Sequence, residues 1–186
     1  MTDPDSRRMK GNRRYIQGYN AQAVVNEQQI VIAAEITTAA GDFSHLRPML
    51  TAALKELENA EIDARPEVVV ADAQYWNEQH MDDVTAEHGI PVLIPPDSGK
   101  RSGERPGWTG GRYAFMRRVL ETDLGREIYR KRQTAIEPVF GHTKHNRKFT
   151  SFHRRGRAAV RTEWRLIMMS HNLTKLYRHQ FAAVNA

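Results

Sequence analysis

The stretch Tyr129 to Lys148, YRKRQTAIEPVFGHTKHNRK, holds one carboxylate, Glu137, among six lysines and arginines. An acid in so much positive charge can form a structural ion pair, or it can hold a divalent cation beside a polyanion. Lys144 follows Glu137 by seven positions, about two helical turns, which predicts both on roughly the same face. A second acid, Asp72, closes the apolar run EVVVA at 67–71. The C-terminal edge of a buried strand is where sites form in open α/β sheets. Two acids on separate elements can converge on Mg²⁺, which prefers oxygen ligands. Two such ions ~3.5–4 Å apart can activate a water or a 3′-hydroxyl and stabilise the leaving oxygen of a phosphodiester. Such a site normally wants a third carboxylate. The basic residues around it, Arg130, Arg132, Lys144, Arg147 and Lys148, would hold the phosphates.

Each acid also has a plainer reading. Asp72 can cap the turn or helix that follows it. Thr134-x-x-Glu137 has the form of a capping box, and Arg130 or Arg132 can pair with Glu137. His142 and His145 are spaced i, i+3 and can ligate a metal, but no third ligand is evident. His171, Trp76 and Trp164 read as packed residues, and Trp108 is the best candidate for contacting a base.

The charge is asymmetric. Residues 1–99 carry 8 Lys/Arg against 16 Asp/Glu, a balance of −8; residues 100–186 carry 20 against 6, a balance of +14. A half this basic is the footprint of a polyanion binder. The chain has 186 residues and no cysteine. That is enough for a proper core, excludes disulfides and thiolate metal sites, and fits a reducing cytoplasm. No run of about 18 apolar residues exists, so no membrane span is expected. The N-terminus lacks the apolar core of a secretory signal.

The elements that must position these residues follow from pattern. Residues 1–17 are polar, and neither strand nor helix is predicted there. GYNAQAVV (18–25) and IVIAAEITT (30–38) predict a hairpin around a turn at 26–29. A helix follows with Leu46, Leu50, Leu54 and Leu57 on one face, capped by Asp42 or Ser44. A strand at 67–71, a helix over 77–88 and a strand at 90–94 complete an α/β sheet with crossovers. Residues 95–111, rich in Gly, Pro and Ser and carrying Lys100, Arg101 and Arg105, read as a mobile loop. Residues 112–133 read as helical, with a helix start or kink near 134–138, and a long helix over 157–179. Ala158, Val160, Trp164, Ile167, Met168, His171 and Leu176 suit its buried face.

These stretches resemble the C-terminal part of the catalytic domain of DDE-type bacterial insertion-sequence transposases. The resemblance is carried by DPDSR, GYNAQAVV, VVADAQYWNE, GWTGGRYAFMRR, YRKRQTAIEPVFGHTKHNRKF and RRGRAAVRTEWRLIMMSHNLTKL, and it spans nearly the whole chain. It implies an α/β, ribonuclease-H-like core, a mixed sheet with flanking helices, over 18–186. It also implies DNA transposition by Mg²⁺- or Mn²⁺-dependent strand cleavage and strand transfer, with Asp72 and Glu137 as metal ligands. Tyr129, Arg132, Glu137 and Lys144 match the family's Tyr, Arg, Glu, Lys pattern, with four residues between Arg132 and Glu137 where three are expected. The implied partners are DNA, at element ends and target, and a second copy or an intact transposase; the implied location is the nucleoid. The family's first Asp belongs on a strand before DPDSR. Nothing in 1–17 resembles that strand, so the expected core lacks it. The alternatives are a DNA-binding remnant without catalysis, which can inhibit an intact transposase, and a nuclease for RNA–DNA hybrids.

Overall fold

The computed structural model describes residues 3–10, 15–97, 103 and 105–184, with side chains to 181. It is a mixed α/β structure of three two-stranded sheets and five α-helices among the described residues. The chain divides into two compact units, Met1–Ala40 with Ala135–Ala186, and Gly41–Thr134.

The first unit opens on a hairpin that the sequence did not lead us to expect, β1 (Arg7–Lys10) against β2 (Tyr15–Gly18). Its strands are short and mostly exposed, so no alternation of apolar residues announces them. The expected hairpin follows as β3 (Asn20–Val25) and β4 (Val31–Thr37), antiparallel with a bulge at Val24/Val25. Helix α5 (Arg157–Val184) covers it. Val160, Trp164, Ile167 and Met168 meet Val31, Ala34 and Ile36, with Val139 completing the core. These helix positions recur at three- and four-residue spacing, as one helix face requires. Ala158 and Leu176, expected on that face, are exposed instead.

Polar groups fix the register of α5 on the hairpin. The Trp164 indole Nε1 donates to the Gln22 carbonyl at 2.9 Å. The Asn172 carboxamide serves both backbone groups of Val31, accepting its N–H at 2.8 Å and donating to its carbonyl at 2.8 Å. Arg161 and Arg165, one turn apart, both donate to the Glu35 carboxylate. Burial opposes ionisation of Glu35, but the two guanidiniums outweigh it and hold its carboxyl below the usual range.

The second unit packs Leu46 and Leu50 of α1 (Leu46–Asn59), Met81 and Val84 of α2 (Glu78–His88), and Met116 of α3 (Gly111–Glu121) around the apolar segment Ile90–Ile94. The strands are shorter than their apolar runs suggest: β5 (Val69–Val70) and β6 (Val92–Leu93) pair in parallel. The crossover between them is α2, which starts on the Asn77 cap. It ends at Gly89, whose φ of 68° is a conformation that disfavours a side chain. The residue before α1 is His45, with no side-chain cap, so neither Asp42 nor Ser44 plays that part. The three pairings are separate two-stranded sheets rather than one extended sheet.

The described flanks of the 95–111 loop are joined by ion pairs. Asp97, only 10% exposed, accepts from Arg105 Nε at 2.9 Å, Arg117 Nη1 at 2.8 Å and the Tyr113 hydroxyl at 2.8 Å. Burial opposes the Asp97 charge, and these three donors override it. Lys100 and Arg101 lie outside the described residues.

Candidate nucleic-acid interface

Helix α4 (Asp123–Gly141) carries the basic stretch. It begins at Thr122, whose backbone and hydroxyl manage two helix ends at once. The hydroxyl donates to the Val119 carbonyl at 2.6 Å and accepts the Gly125 amide at 3.0 Å. That is the side-chain cap a helix N-terminus calls for. The capping box expected at Thr134 and Glu137 is therefore absent: both residues lie inside α4, and the Thr134 hydroxyl bonds back to the Lys131 carbonyl at 3.0 Å. Pro138 sits inside the same helix, where it offers no N–H to the turn before it.

Toward its end α4 presents Ala135 and Val139 to the core, and Thr143 continues that line, 1% exposed, its hydroxyl donating to the Val139 carbonyl at 2.8 Å. Glu137 lies off this line and is exposed. Among the described residues it makes no ion pair, so pairing with Arg130 or Arg132 is not what it does here. At Gly141 the regular helix gives way to a wider π-type turn over His142–Asn146, closed by Arg147 N–H to the His142 carbonyl at 3.0 Å. The seven residues from Glu137 to Lys144 are therefore not two regular turns, because the wider turn resets the angular spacing.

The cations on this stretch lean on aromatic rings. Arg132 lies over Tyr129 at 5.4 Å from the ring centre, Lys144 over Phe140 at 5.4 Å, and Arg147 over Phe149 at 5.0 Å. Arg147 also donates to the Ile167 carbonyl at 3.3 Å. Lys144, Lys148 and Arg130 are exposed, and Lys148 holds a positive φ of 62°. Arg130 and Tyr129 line a shallow cleft of about 380 Å³ with Leu120, Arg126 and Gln133. An ammonium or guanidinium resting flat on a ring keeps its outer donors for a phosphate.

Asp72 follows β5 and behaves as a cap. Its Oδ1 accepts the Gln74 amide at 2.8 Å at the head of a short 3₁₀ turn, Ala73–Tyr75. Asp72, Tyr129, Arg130 and Arg132 fall in the unit Gly41–Thr134; Glu137, Lys144, Arg147 and Lys148 fall in the other.

Among the described residues the histidines join no group of three or more side chains that could hold a metal ion. His145 is exposed, while His142 turns its ring toward His171, centres 5.5 Å apart at 66°. Both carry a buried Nδ1 without a hydrogen-bond partner. His171 is packed, as expected. Trp164 is core, Trp76 packs against the core of its own unit, and Trp108 is 40% exposed with Arg105 over its ring at 4.8 Å.

Sequence reasoning passed over the most heavily bonded acid near the N-terminus. Asp3 accepts the Tyr19 hydroxyl at 3.0 Å and the Gly156 amide at 3.1 Å, and Asp5 accepts the Arg157 amide at 2.9 Å. Two carboxylates thus cap the first turn of α5 from the far end of the chain. Burial opposes ionisation of Asp3, and these amides and the phenol override it, holding its carboxyl low. Burial and Asp3 together push the Tyr19 hydroxyl up to about 12. The signal in the sequence was the doubled acid of DPDSR, which the local chain satisfies only in part, through the Asp5 amide on the Asp3 carboxylate at 3.1 Å.

Among the described residues no group of three or more His, Cys, Asp or Glu side chains could hold a metal ion. The donor set of a divalent-cation centre is therefore not assembled by them. No helix is long and apolar enough to cross a membrane among the described residues. No curated protein and no solved structure matches the chain. A family model described as the transposase DDE domain does match, over residues 2–173. That span takes in the DPDSR acids, Asp72, the whole of α4 and most of α5, and the chain belongs to the transposase DDE domain family.

Proposed function

We propose that this chain serves DNA transposition as the DNA-holding part of a DDE domain, with Asp72 and Glu137 contributing two of the carboxylates that the family's chemistry needs. The observation that carries the reading is Glu137. Neither plain explanation for it applies: it caps no helix, and among the described residues it pairs with no cation, although six lysines and arginines share its stretch. An exposed, uncommitted carboxylate in a cationic segment suits a divalent ion shared with a phosphodiester. Arg130, Arg132, Lys144, Arg147 and Lys148 supply phosphate contacts, and Tyr129 supports Arg132 by offering its ring.

The fold we assign is ribonuclease-H-like, supported by the family match and by the presence in the chain of both an antiparallel hairpin and a parallel β5–α2–β6 unit. The family's first acid has no counterpart among the described strands. Mg²⁺ or Mn²⁺, when bound, would supply the nucleophile activation and charge neutralisation that phosphodiester cleavage requires. Among the described residues no three or more His, Cys, Asp or Glu side chains come together to hold such an ion.

The test measures DNA affinity against salt and strand nicking on the same preparation. We expect a steep decline of affinity with salt, a slope that shrinks on Arg130→Ala and Lys144→Ala, and no nicking with Mg²⁺ or Mn²⁺. A flat salt dependence would overturn the DNA-holding role. Nicking lost on Asp72→Asn or Glu137→Gln would overturn the incomplete donor set.

A further inference from the structure

The acidic half of the sequence holds one basic element. Residues 1–99 carry 8 Lys/Arg, and five of them fall in residues 7–14, while no acid occurs between Asp5 and Glu27. Three of the five lie on β1, Arg7, Arg8 and Lys10, all exposed. The strand register decides which way they face. Arg8 stands opposite Gln17 and Lys10 opposite Tyr15. Residues directly opposite share a face, as do residues two apart on one strand. Met9, on the other face, is buried. The ribbon thus tucks Met9 in and turns Arg8, Lys10, Tyr15 and Gln17 to solvent. Arg7 shares the side of Met9 and donates to the Pro4 and Ser6 carbonyls.

A second basic stretch is brought to the root of this ribbon. Residues 153–157 read HRRGR, and Arg154, Arg155 and Arg157 are exposed. Asp3 and Asp5 accept the Gly156 and Arg157 amides at 3.1 and 2.9 Å, and β1 starts at Arg7, just beyond them. The Glu163 carboxylate fixes the same turn from within α5, accepting the His153 and Arg154 amides, each at 2.9 Å. The nearby acids are thus spent on backbone amides and the Tyr19 phenol. Arg8, Lys10, Arg154, Arg155 and Arg157 make no ion pair among the described residues. A solvated face mixes its charges; this one carries a single sign. Arg154 also lines a cleft of about 260 Å³ with Arg147 and Phe149, so the surface runs on to one of the phosphate contacts assigned above.

The shape selects a duplex. The major groove of DNA is about 12 Å wide and admits a two-stranded ribbon, and a strand of this length spans about 13 Å. The Tyr15 ring already carries the Arg8 guanidinium at 4.0 Å from its centre. That takes one ring face from the stacking a single strand would need. We infer that the β1–β2 ribbon enters the major groove of duplex DNA, with Arg8, Lys10 and Gln17 toward the base edges and Arg154, Arg155 and Arg157 on the flanking phosphates. This rests on the DNA-holding reading and adds to it residues that the stretch 129–148 does not contain.

Fluorescence anisotropy of the full chain on a duplex of about 30 base pairs, and on one of its strands alone, tests the inference at several salt concentrations. The unaltered chain should favour the duplex. Arg8→Ala/Lys10→Ala should lose at least roughly tenfold on the duplex and much less on the strand, so that the preference shrinks. Arg154→Ala/Arg155→Ala should lower the duplex salt slope by about 1.8, two phosphate contacts' worth. These side chains stand in water without ion pairs, so both variants should keep their Tm. A ribbon variant that binds the duplex as the unaltered chain does overturns the proposal, and so does a chain that prefers the single strand. If Arg130→Ala and Lys144→Ala still lower the slope in that case, the DNA-holding role stands without the ribbon. A flat salt dependence of the unaltered chain removes both.

Discussion

Asp3 accepts the Gly156 amide at 3.1 Å across 153 positions of chain, so the beginning of the sequence closes the head of its longest helix. Asp5 does the same for the neighbouring Arg157 amide. Asp3→Ala and Asp5→Ala should each lower Tm, and the double variant should lower it less than additively, because both serve the same turn. Asp3→Asn should recover part of the loss, since an amide oxygen still accepts but brings no charge to the helix dipole. Thermal melts monitored by circular dichroism decide this.

The paired histidines set an acid limit on stability. Burial lowers His171, and the nearby His142, Lys175 and Arg147 lower it further against the Gln29 carbonyl, which raises it. Burial, Arg147 and Arg178 lower His142 in the same way. A histidine whose folded pKa is depressed leaves stability intact above its unfolded value, about 6.5. Below that value the unfolded chain takes up protons that the folded chain refuses, and stability falls toward the folded pKa. Tm should therefore drop as the pH falls below about 6.5. His171→Gln should flatten that slope even if it lowers Tm at pH 7.5.

Gly125 has no room for a methyl group. A Cβ there would stand 2.0 Å from the Val119 carbonyl oxygen, which is backbone and cannot swing aside. Gly125→Ala should destabilise by about 3 kcal/mol or more, with the Thr122 corner opening between α3 and α4. Urea unfolding measures it, and a loss under ~0.5 kcal/mol would show that the corner relaxes freely.

Glu35 faces Arg161 and Arg165 at the rim of the hairpin, with 21% of its side chain in water. Glu35→Gln should cost on the order of 1 kcal/mol after allowance for solvent screening. The cost should shrink in 1 M salt, as a packing defect would not.

Lys144 rests on Phe140 and bonds to no backbone group among the described residues. Lys144→Ala should leave Tm unchanged, weaken DNA binding alike across sequences and reduce the salt slope by about 0.9. Fluorescence anisotropy at several salt concentrations reads both quantities.

The hairpin at β3–β4, helix α2 over 77–88 with its Gly89 stop, and most of the inner face of α5, Ala158 and Leu176 apart, were legible from the pattern of residues. Long apolar patterns leave little choice of element. Two of the misreadings have local reasons. Thr134-x-x-Glu137 has the letters of a helix start, yet the start is Thr122, a residue whose partner Gly125 carries no side-chain signal. The β1–β2 pair is polar and exposed, so its sequence looks like loop. Tertiary relations were beyond reach altogether. Nothing near Asp3 names Gly156, and nothing near Glu35 names Arg161.

The candidate residues were legible one by one, and their plain alternatives separated differently. Asp72 does cap the following turn. Glu137 does not cap, and it rides an unbroken helix instead. The chemistry of the residue types gave the list; only coordinates could say which acid already had work to do.

The Asn172 side chain meets Val31 as a single residue of another strand would, giving and taking one hydrogen bond. With both groups of Val31 occupied, a foreign strand cannot zip onto β4 through that residue. One carboxamide thereby acts as a stopper against runaway sheet growth, a hazard for any hairpin left with open rims. Replacing it by leucine would cost the fold two bonds and would also leave the hairpin open to its own kind.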